Sequence, residues 1–367
     1  MSFRLHTPRT LLSSVGDITV SRRYYACRAC DAKAVPFDEW AGLQKGHRLT
    51  VQARRVVTLA GSTWSFDQAA DRLKEFCRLK TSNDVIRAVC DEEGRGAQQW
   101  LQTSQQPAAA MARAEGELEF YTDGVKVNTV GGWREMRLSV FAKRPAALPA
   151  EPGQWKDRVL PEPTARVAFA AIAASHCIGS SWLTMLKQLG LADSSKLSVL
   201  ADGARWIWDE AAKRFKLMTT VDWCVDVFHV SEHLHACAGK MFDPGTPGAK
   251  LWATTRIEQL VEMEGPRFIE KLLQERTSAG GADKQAALDD LIGYLSENRD
   301  SLWYRTRLAQ GRAIGTGLIE GACKNTIAAR LKINNPRWRV RRAERMGALR
   351  CLQYSDLWAG YWDSKTG

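Results

Sequence analysis

The sequence predicts an α/β fold in which a mixed β-sheet is flanked by helices. Between residues 117 and 235, segments of strand and helix character follow one another in the order β-β-β-α-β-α-β-α, which is typical of α/β rather than all-α proteins. The chain has 367 residues, of which 45% are hydrophobic and 25% charged. It can therefore bury a large core and form two or three domains.

The first 46 residues are predicted to form short strands and turns around a CxxC motif. Cys27 and Cys30 lie in "RRYYACRACDAKAVP", after an alternating segment that is typical of a strand. A structural zinc site needs four ligands, so this pair supplies half of a zinc-ribbon-like knuckle. No Cys precedes Cys27. Either another ligand such as His6 or His47 completes the site, or the site is incomplete, or the chain is shortened.

Residues 47–110 are predicted to be helical. Their first part, "RLTVQARRVVTLAGSTWSFDQAADRLKEF", has a helical pattern with a break at "GSTWSF", and in the second part Thr81 or Ser82 can cap a further helix. Short helices around such a break fit a helix-turn-helix DNA-binding region, and they fit any small helical bundle equally well. Residues 103–116 are predicted to be a linker.

The sheet is predicted to begin with "ELEFYTDGVKVN", a strand that ends near Asp123. After the turn "TVGG", the segment "WREMRLSVFAK" alternates as its hairpin partner. A third strand at 165–174 leads toward an amphipathic helix at 180–190. The segment "KLSVLADG" predicts a buried strand that ends at Asp202, and a fifth strand ends near Asp226 before another helix.

The charge of the chain is concentrated near its C-terminal end. Residues 246–309 have a helical and mostly charged pattern, and residues 311–350 then contain ten Lys and Arg against two acids, a net charge of +8. The whole chain carries +11. A solvated basic surface would have the same composition, but this clustering favours a face that binds a polyanion such as nucleic acid or an anionic membrane.

The cysteines and the hydropathy indicate an intracellular protein. The nine Cys are scattered and odd in number, which favours reduced thiols over a disulfide scaffold. The sequence contains no run of roughly 18–20 apolar residues, the length that spans a membrane, and the first residues lack the apolar core of a secretory signal. We therefore expect no membrane-spanning segment, and DNA rather than a membrane as the polyanionic partner.

Three carboxylates have surroundings that suit a metal site. Asp123 and Asp202 each close a predicted strand and precede a Gly, and Glu320 lies in or just before a helix in "GTGLIEGACK". Acids that converge in this way raise each other's pKa unless a cation neutralises them. Mg²⁺ or Mn²⁺ takes such oxygen ligands and keeps positions open for water and phosphate. Singly, each DG is a common turn pair and Glu320 is an acid near a helix N-terminus.

Five segments occur in the order that they have in a known family, and together they cover nearly the whole chain. They are "RRYYACRACDAKAVPFDEWAGL", "YTDGVKV…WREMRLSVF", "VLADGARWIW", "VDWCVDVFHVSEHL" and "GTGLIEGACKNTIAARLKINNPRWR". They resemble the ISKra-type insertion-sequence transposases of bacteria, which are DDE transposases with an RNase H-like catalytic domain. The resemblance implies that Asp123, Asp202 and Glu320 are the catalytic metal ligands. It also implies that Asp226 and His229 of "DVFH" support the active site, although His229 alone would be an ordinary core histidine.

The resemblance further implies a domain organisation and a function. Residues 115–235 and 311–367 would form the RNase H-like core, with basic helices in the second part. Asp202 and Glu320 are 118 residues apart, which leaves room for an all-helical insertion at about 236–310. The implied reaction is metal-dependent cleavage of a phosphodiester at the element end, followed by attack of the 3′-hydroxyl on target DNA. We expect two Mg²⁺ or Mn²⁺ ions, a homo-oligomer on DNA, and a cytoplasmic, nucleoid-associated location.

The basic segment after Glu320 is the predicted DNA-binding surface, because Lys and Arg there would neutralise phosphates and release counterions. Lys324 lies one helical turn after Glu320 on the same face and would contact phosphate beside the metal ions. Trp338 is expected to anchor packing or to stack on a base. The predicted DNA-binding residues are Lys324, Arg330, Lys332, Arg337, Trp338, Arg339, Arg341 and Arg342.

Two other functions fit parts of the sequence. A non-catalytic DNA-binding protein derived from a transposase would keep the basic segment, although the presence of all three acids argues against loss of activity. The motif "HVSEH" also matches the H-x-x-E-H pattern of zinc metalloproteases, with His229 and His233 as ligands and Glu232 as the base. Only three positions of that motif are fixed, and a third acidic ligand must follow. The candidates for it are Glu258, Glu262 and Glu264.

Overall fold

The computed structural model of the protein describes residues 1–43, 48–192, 194, 196–216 and 218–365, so the candidate ligand His47 lies outside the described residues. The described chain contains a three-stranded sheet and a five-stranded mixed sheet. Helices flank the larger sheet, and the predicted α/β class is confirmed. No helix in the described part of the chain combines the length and the apolar character needed to cross a membrane.

The N-terminal sheet is a long β-hairpin with a short third strand. Its elements are β1 (Ser2–Ser13), β2 (Gly16–Ala26) and β3 (Lys33–Ala34), followed by α1 (Pro36–Trp40). The hairpin turns at Gly16, where a φ of +111° favours glycine. Leu11 and Leu12 are buried, and Leu12 forms a bridge with Leu49 just before the first long helix. The hairpin is thereby attached to the helical region at its turn end.

Four helices follow, and they match the predicted helical region with one addition. They are α2 (Val51–Thr63), α3 (Phe66–Cys77), α4 (Asn83–Thr103) and α5 (Gln106–Arg113). Ser65 and Gln68 form a capping box at the start of α3, and Ser82 caps α4 as predicted. The linker predicted at 103–116 is largely helical, since α5 has Pro in its first turn and a run of Ala.

The five-stranded sheet has the order β6-β5-β4-β7-β8. Its elements, with two intervening helices, are β4 (Glu117–Thr129), β5 (Gly132–Arg144), β6 (Ala165–Ala171), α6 (Ser175–Gln188), β7 (Lys196–Ala201), α7 (Arg205–Arg214) and β8 (Thr220–Val225). Strand β5 is antiparallel to β4 and β6, whereas β7 is parallel to both β4 and β8. On one face, Phe120 packs its ring edge-on against Trp182 and Phe215, with centroids 5.0 Å apart in both pairs.

The stretch from β8 to residue 316 contains helices and no strand, all within the described part of the chain. The helices are α8 (Val227–Met241), α9 (Pro247–Met263), α10 (Gly265–Ser278), α11 (Ala282–Glu297) and α12 (Tyr304–Ala309). Short 3₁₀ turns occur at Pro152–Gln154 and Arg299–Ser301. Arg307 of α12 is 1% exposed and donates to Asp222 and Ser198 of the sheet. This buried network joins the helical stretch to the sheet.

The C-terminal helices close the fold against both the sheet and the N-terminal helices. They are α13 (Gly317–Ala322), a π-helical segment (Cys323–Ala328), α14 (Ala329–Leu331), α15 (Val340–Tyr354) and α16 (Trp358–Asp363). Helix α4 packs closely along α15, because a Cβ at Gly94 would lie only 2.5 Å from the carbonyl oxygen of Arg345. The region 47–110 and the C-terminal segment are therefore packed together.

Candidate active site

Three aspartates lie at the same edge of three neighbouring parallel strands. The parallel register pairs Tyr121 with Leu200 and Ala201 with Val225. Continued along each strand, it places Asp123 beside Asp202, and Asp202 beside Asp226. Parallel neighbours are about 4.8 Å apart, and ligands of open α/β sheets bind at the carboxyl ends of the strands.

The predicted position of Asp123 at a strand end is wrong. Strand β4 continues to Thr129 because β5 pairs with it up to the hairpin turn, where Thr129 faces Gly132. Asp123 nevertheless lies just past the last pair that β4 forms with its parallel neighbour β7. Its side chain therefore reaches the same edge as Asp202, which directly follows β7 as predicted.

Glu320 reaches this edge from α13, and the residue before that helix, Thr316, is hydrogen-bonded to Asp226. Asp226 is 3% exposed, and its Oδ1 accepts from the Phe228 N–H (2.7 Å) to cap α8. Its Oδ2 accepts from both the N–H and the hydroxyl of Thr316. The Thr316 hydroxyl also lies 3.5 Å from Glu320 Oε1. Asp226 thus fixes the start of the helix that carries Glu320.

The carboxylates border one cavity of about 120 Å³. The acidic and imidazole side chains around it are Asp123, Asp202, Asp226, His229, Glu232 and Glu320. All three members of the predicted triad are in this set. Thr316 also lines the cavity. It was not predicted, and no local sequence signal singles it out, because its role depends on the partner Asp226 ninety residues away.

The carboxylates give the cavity a negative charge. Burial raises the pKa of Asp123, and the charges of Asp202 and Glu320 raise it further, against the opposing hydrogen bonds from the Gly124 N–H and the Cys323 thiol. Lys324 Nζ lies 3.7 Å from Glu320 Oε2, as its predicted position one turn onward implies, and the lysine side chain is 76% exposed. A cation that entered the cavity would relieve this repulsion.

The donor set fits a hard divalent cation, because the three acids offer only oxygen atoms. At present Asp123 Oδ1 accepts from the Gly124 N–H (2.6 Å) and Asp202 Oδ1 from the Ala204 N–H (3.0 Å). As the side chains stand, no group of three or more His, Cys, Asp or Glu in the described residues is close enough to hold a metal ion. Coordination therefore requires rotation of the carboxylates, for which each aspartate has its second oxygen.

The H-x-x-E-H motif does not form a zinc-protease site in the described structure. His229 and His233 lie on the first two turns of α8, with ring centroids 5.0 Å apart and planes at 78°. His233 stacks on the Tyr294 ring at 3.7 Å, and His229 Nδ1 lies 3.4 Å from Glu232 Oε2. The ring of His233 is thus used in packing, and the geometry gives this alternative no support.

The CxxC motif forms a tight turn between β2 and β3. The backbone N–H groups of Ala29 and Cys30 are directed at the Cys27 thiol and lower its pKa. The strand register pairs His6 with Arg23, four residues before Cys27, which is a distance of about 13 Å along the strand. His6 is therefore wrong as a zinc ligand together with this pair, and zinc binding by Cys27 and Cys30 stays a prediction.

The predicted DNA-binding residues divide into an exposed and a buried set. The exposed members are Lys324, Lys332, Arg337, Arg339 and Arg341. Arg342 is partly buried, 3.9 Å from an oxygen of Asp91. Arg330 is only 2% exposed and Trp338 only 7%. The Trp338 Nε1–H donates to the Leu331 carbonyl (3.0 Å), so Trp338 anchors packing, the first of its two predicted roles.

No protein-family model matches this chain, and no curated protein matches it either. The arrangement of the acids is therefore the main indication of function. Two neighbouring strands and one helix bring three carboxylates from positions up to 197 residues apart to one cavity. Such an arrangement is costly for the fold, and it suits the binding of a divalent cation.

Proposed function

We propose that the protein is a DDE transposase that cleaves and joins DNA with Mg²⁺ or Mn²⁺. The observation that carries the proposal is the meeting of Asp123, Asp202 and Glu320 at one acidic cavity. These are the three acids that the ISKra-type resemblance implies. The basic surface that follows Glu320 along the chain supports a polyanionic substrate.

The topology supports an RNase H-like catalytic core. Three antiparallel strands connected in sequence are followed by two parallel strands, each reached through a helix. The helical stretch that contains α9–α12 separates the second acid from the third, which agrees with an insertion at about 236–310. Asp202 directly follows β7, Asp123 lies just past the last residue pair of β4 with β7, and Glu320 approaches them from α13.

The side chains have separate tasks in the proposed reaction. Asp123, Asp202 and Glu320 would hold the ions, which when bound activate the attacking oxygen and stabilise the leaving oxygen of a phosphodiester. Asp226 positions the helix of Glu320 through Thr316. Lys324 Nζ lies 3.7 Å from Glu320 Oε2, which is a loose ion pair. The exposed lysine side chain can therefore turn toward a phosphate.

The proposal is tested by strand cleavage and strand transfer on DNA that carries the element ends, with Mg²⁺ or Mn²⁺. We expect Asp123→Asn, Asp202→Asn and Glu320→Gln each to lower the rate by about 10³-fold or more, because the acids act as one unit. The control is Asp243→Asn, an exposed acid beyond the far end of the 15-residue helix α8, about 22 Å from the cavity end. Unchanged cleavage by the triad variants would refute the proposal. DNA binding without any cleavage by the wild type would instead support the non-catalytic alternative.

A further inference from the structure

A second site of opposite charge lies in a groove of about 560 Å³ between the N-terminal helices and the C-terminal segment. The first residues of α3 and of α4 line one side, and residues 333–339 with the start of α15 line the other. Helix N-termini carry partial positive charge and unpaired N–H groups. Because two long helices begin at this groove, it is electrostatically suited to an anion.

Arg330 lines this groove as a buried cation. It is 2% exposed, and its guanidinium contacts the rings of both Phe66 (4.7 Å) and Trp338 (5.1 Å). The Nε–H donates to the Gly61 carbonyl (2.8 Å), but Nη2 has no hydrogen-bond partner among the described residues. Burial lowers the pKa of Arg330 to about 10, so it stays charged at neutral pH. A buried charge without a counter-ion is unfavourable, and a bound anion would compensate for it.

The acids that line the groove interact with side chains other than Arg330, although Asp91 Oδ1 has no hydrogen-bond partner in the described structure. Asp91 pairs with Arg345 (2.6 Å) on α15, which lies outside the groove lining. Asp84 pairs with its neighbour Arg87 (2.5 Å). The third acid, Asp67, accepts from the side-chain amide of Asn83. None of the three forms an ion pair with Arg330 in the described structure.

Two exposed arginines, Arg337 and Arg339, stand at the groove opposite the helix N-termini. Arg337 Nη2 donates to the Val130 carbonyl (3.2 Å), which holds the side chain at the groove and leaves its charge without a carboxylate partner there. With Arg330 they give the groove three cationic groups that the lining acids do not neutralise. Lys332 and Arg341 extend the basic surface beyond it.

We propose that this groove binds a backbone phosphate of DNA, with Arg330 as the buried anion-binding residue and Arg337 and Arg339 as the outer contacts. The volume exceeds that of a phosphate ion and accommodates a nucleotide unit with its sugar. Binding of an anion here follows from the groove alone, whereas its identity as DNA rests on the proposed function. Arg330 is ten positions after Glu320 on one helical run, roughly 15 Å away along it. At about 3.4 Å per nucleotide, the held phosphate lies about four or five nucleotides from the cleaved bond.

The test measures the affinity for an element-end duplex by fluorescence anisotropy in EDTA, at several salt concentrations. The variants are Arg330→Met and the double variant Arg337→Ala/Arg339→Ala. The matched comparison is Arg341→Ala, an exposed arginine of the same segment that does not line the groove. Each phosphate contact contributes about 0.9 to the slope of log K against log salt. We expect the slope to fall by about 1 for Arg330→Met and by about 1–2 for the double variant, and by less for Arg341→Ala.

A second measurement, the effect of inorganic phosphate on the melting temperature, tests the anion site without requiring DNA cleavage. Inorganic phosphate should raise the melting temperature of the wild type and of Asp123→Asn, and it should do so less for the double variant, whose exposed positions are compatible with folding. Equal salt slopes for the double variant and Arg341→Ala would overturn the DNA-phosphate site. Protection by phosphate that the double variant retains in full would overturn the anion site itself. Loss of cleavage without loss of binding in EDTA concerns the triad alone, so the two proposals fail separately.

Discussion

Asp123→Asn should stabilise the metal-free protein. Asp123 and Asp202 face each other across parallel neighbours about 4.8 Å apart, so their carboxylates are roughly 6 Å apart. Two unit charges at about 6 Å repel by about 1 kcal/mol at an effective dielectric constant of about 50, between that of water and that of a surface site. Asn has the same shape, and its carbonyl oxygen can still accept from the Gly124 N–H. The substitution therefore removes the cost of burying the Asp123 charge together with its repulsion by Asp202 and Glu320.

The pH dependence has a defined sign. Burial and the neighbouring acids raise the pKa of Asp123 in the folded state above its ordinary value of 3.8. The folded protein thus holds this proton more tightly than the unfolded chain, and ionisation of Asp123 lowers the free energy of unfolding as the pH rises through this window. The advantage of Asp123→Asn should be complete at neutral pH and absent below about pH 3.8, where the carboxyl is neutral in both states.

The assay is thermal unfolding in EDTA and then with increasing Mg²⁺ or Mn²⁺. In EDTA we expect the variant to melt about 1–3 °C above the wild type, with Asp243→Asn unchanged. A cation at about 100 times its Kd stabilises a protein by about 2.7 kcal/mol. We expect the cation to stabilise the wild type more than Asp123→Asn, so that at high cation concentration the wild type has the higher melting temperature. A variant that is less stable than the wild type in EDTA would show that the acids do not repel each other, and the metal-site argument would then be wrong.

Two further predictions concern stability. Asp226→Ala removes the cap of α8 and the acceptor of the buried Thr316 N–H, and it leaves the Thr316 hydroxyl with Glu320 Oε1 at 3.5 Å as its acceptor. We therefore expect a loss of about 2–3 kcal/mol in urea unfolding, against about 1 kcal/mol for Asp226→Asn. Equal losses would contradict the cap geometry. Glu93→Gln removes the buried carboxylate that pairs with Arg54 (2.5 Å) and Lys365 (2.7 Å), while Arg54 keeps its contact with Glu92 (3.0 Å). We therefore expect a cost of about 2 kcal/mol, less than for a fully unpaired buried charge. Although burial favours the neutral acid, Arg54 and Lys365 lower the pKa of Glu93. The wild type should therefore lose stability as the pH falls below about 4.5 toward that lowered pKa, and a melting curve of Glu93→Gln with the same acid dependence would refute this.

The sheet was predictable because its signals are local. Alternating residues in 117–144 predict the β4–β5 hairpin, and the apolar run before Asp202 predicts β7. The boundary at Asp123 was not predictable in this way, because the turn propensity of the Asp-Gly pair is outweighed by continued pairing with β5. Helix α5 had a local signal in its Pro and Ala residues, which the linker prediction did not weigh.

The groove could not be predicted from the sequence, because its central residue, Arg330, is a buried charged residue. Arg330 looks like one more surface cation in a basic segment, since arginine is rarely buried without a paired acid. Its burial depends on Phe66, 264 residues earlier, and on Trp338, which is bound to the end of β4 through Asn128. Contacts between segments so far apart leave no periodic pattern in the sequence.

The acidic cavity and the basic groove share a physical logic. In the free protein the cavity holds carboxylates that repel each other, and the groove holds a guanidinium without a counter-ion. Each raises the free energy of the fold, and no protein side chain in the described structure compensates for either in full. Both stand on the continuous helical run 317–331, with Glu320 on its first turn and Arg330 at its end. Unfavourable interactions of this kind are expected mainly at functional sites. A single ligand that carries phosphates and divalent cations would neutralise both sites at once, and DNA with its metal ions has this composition.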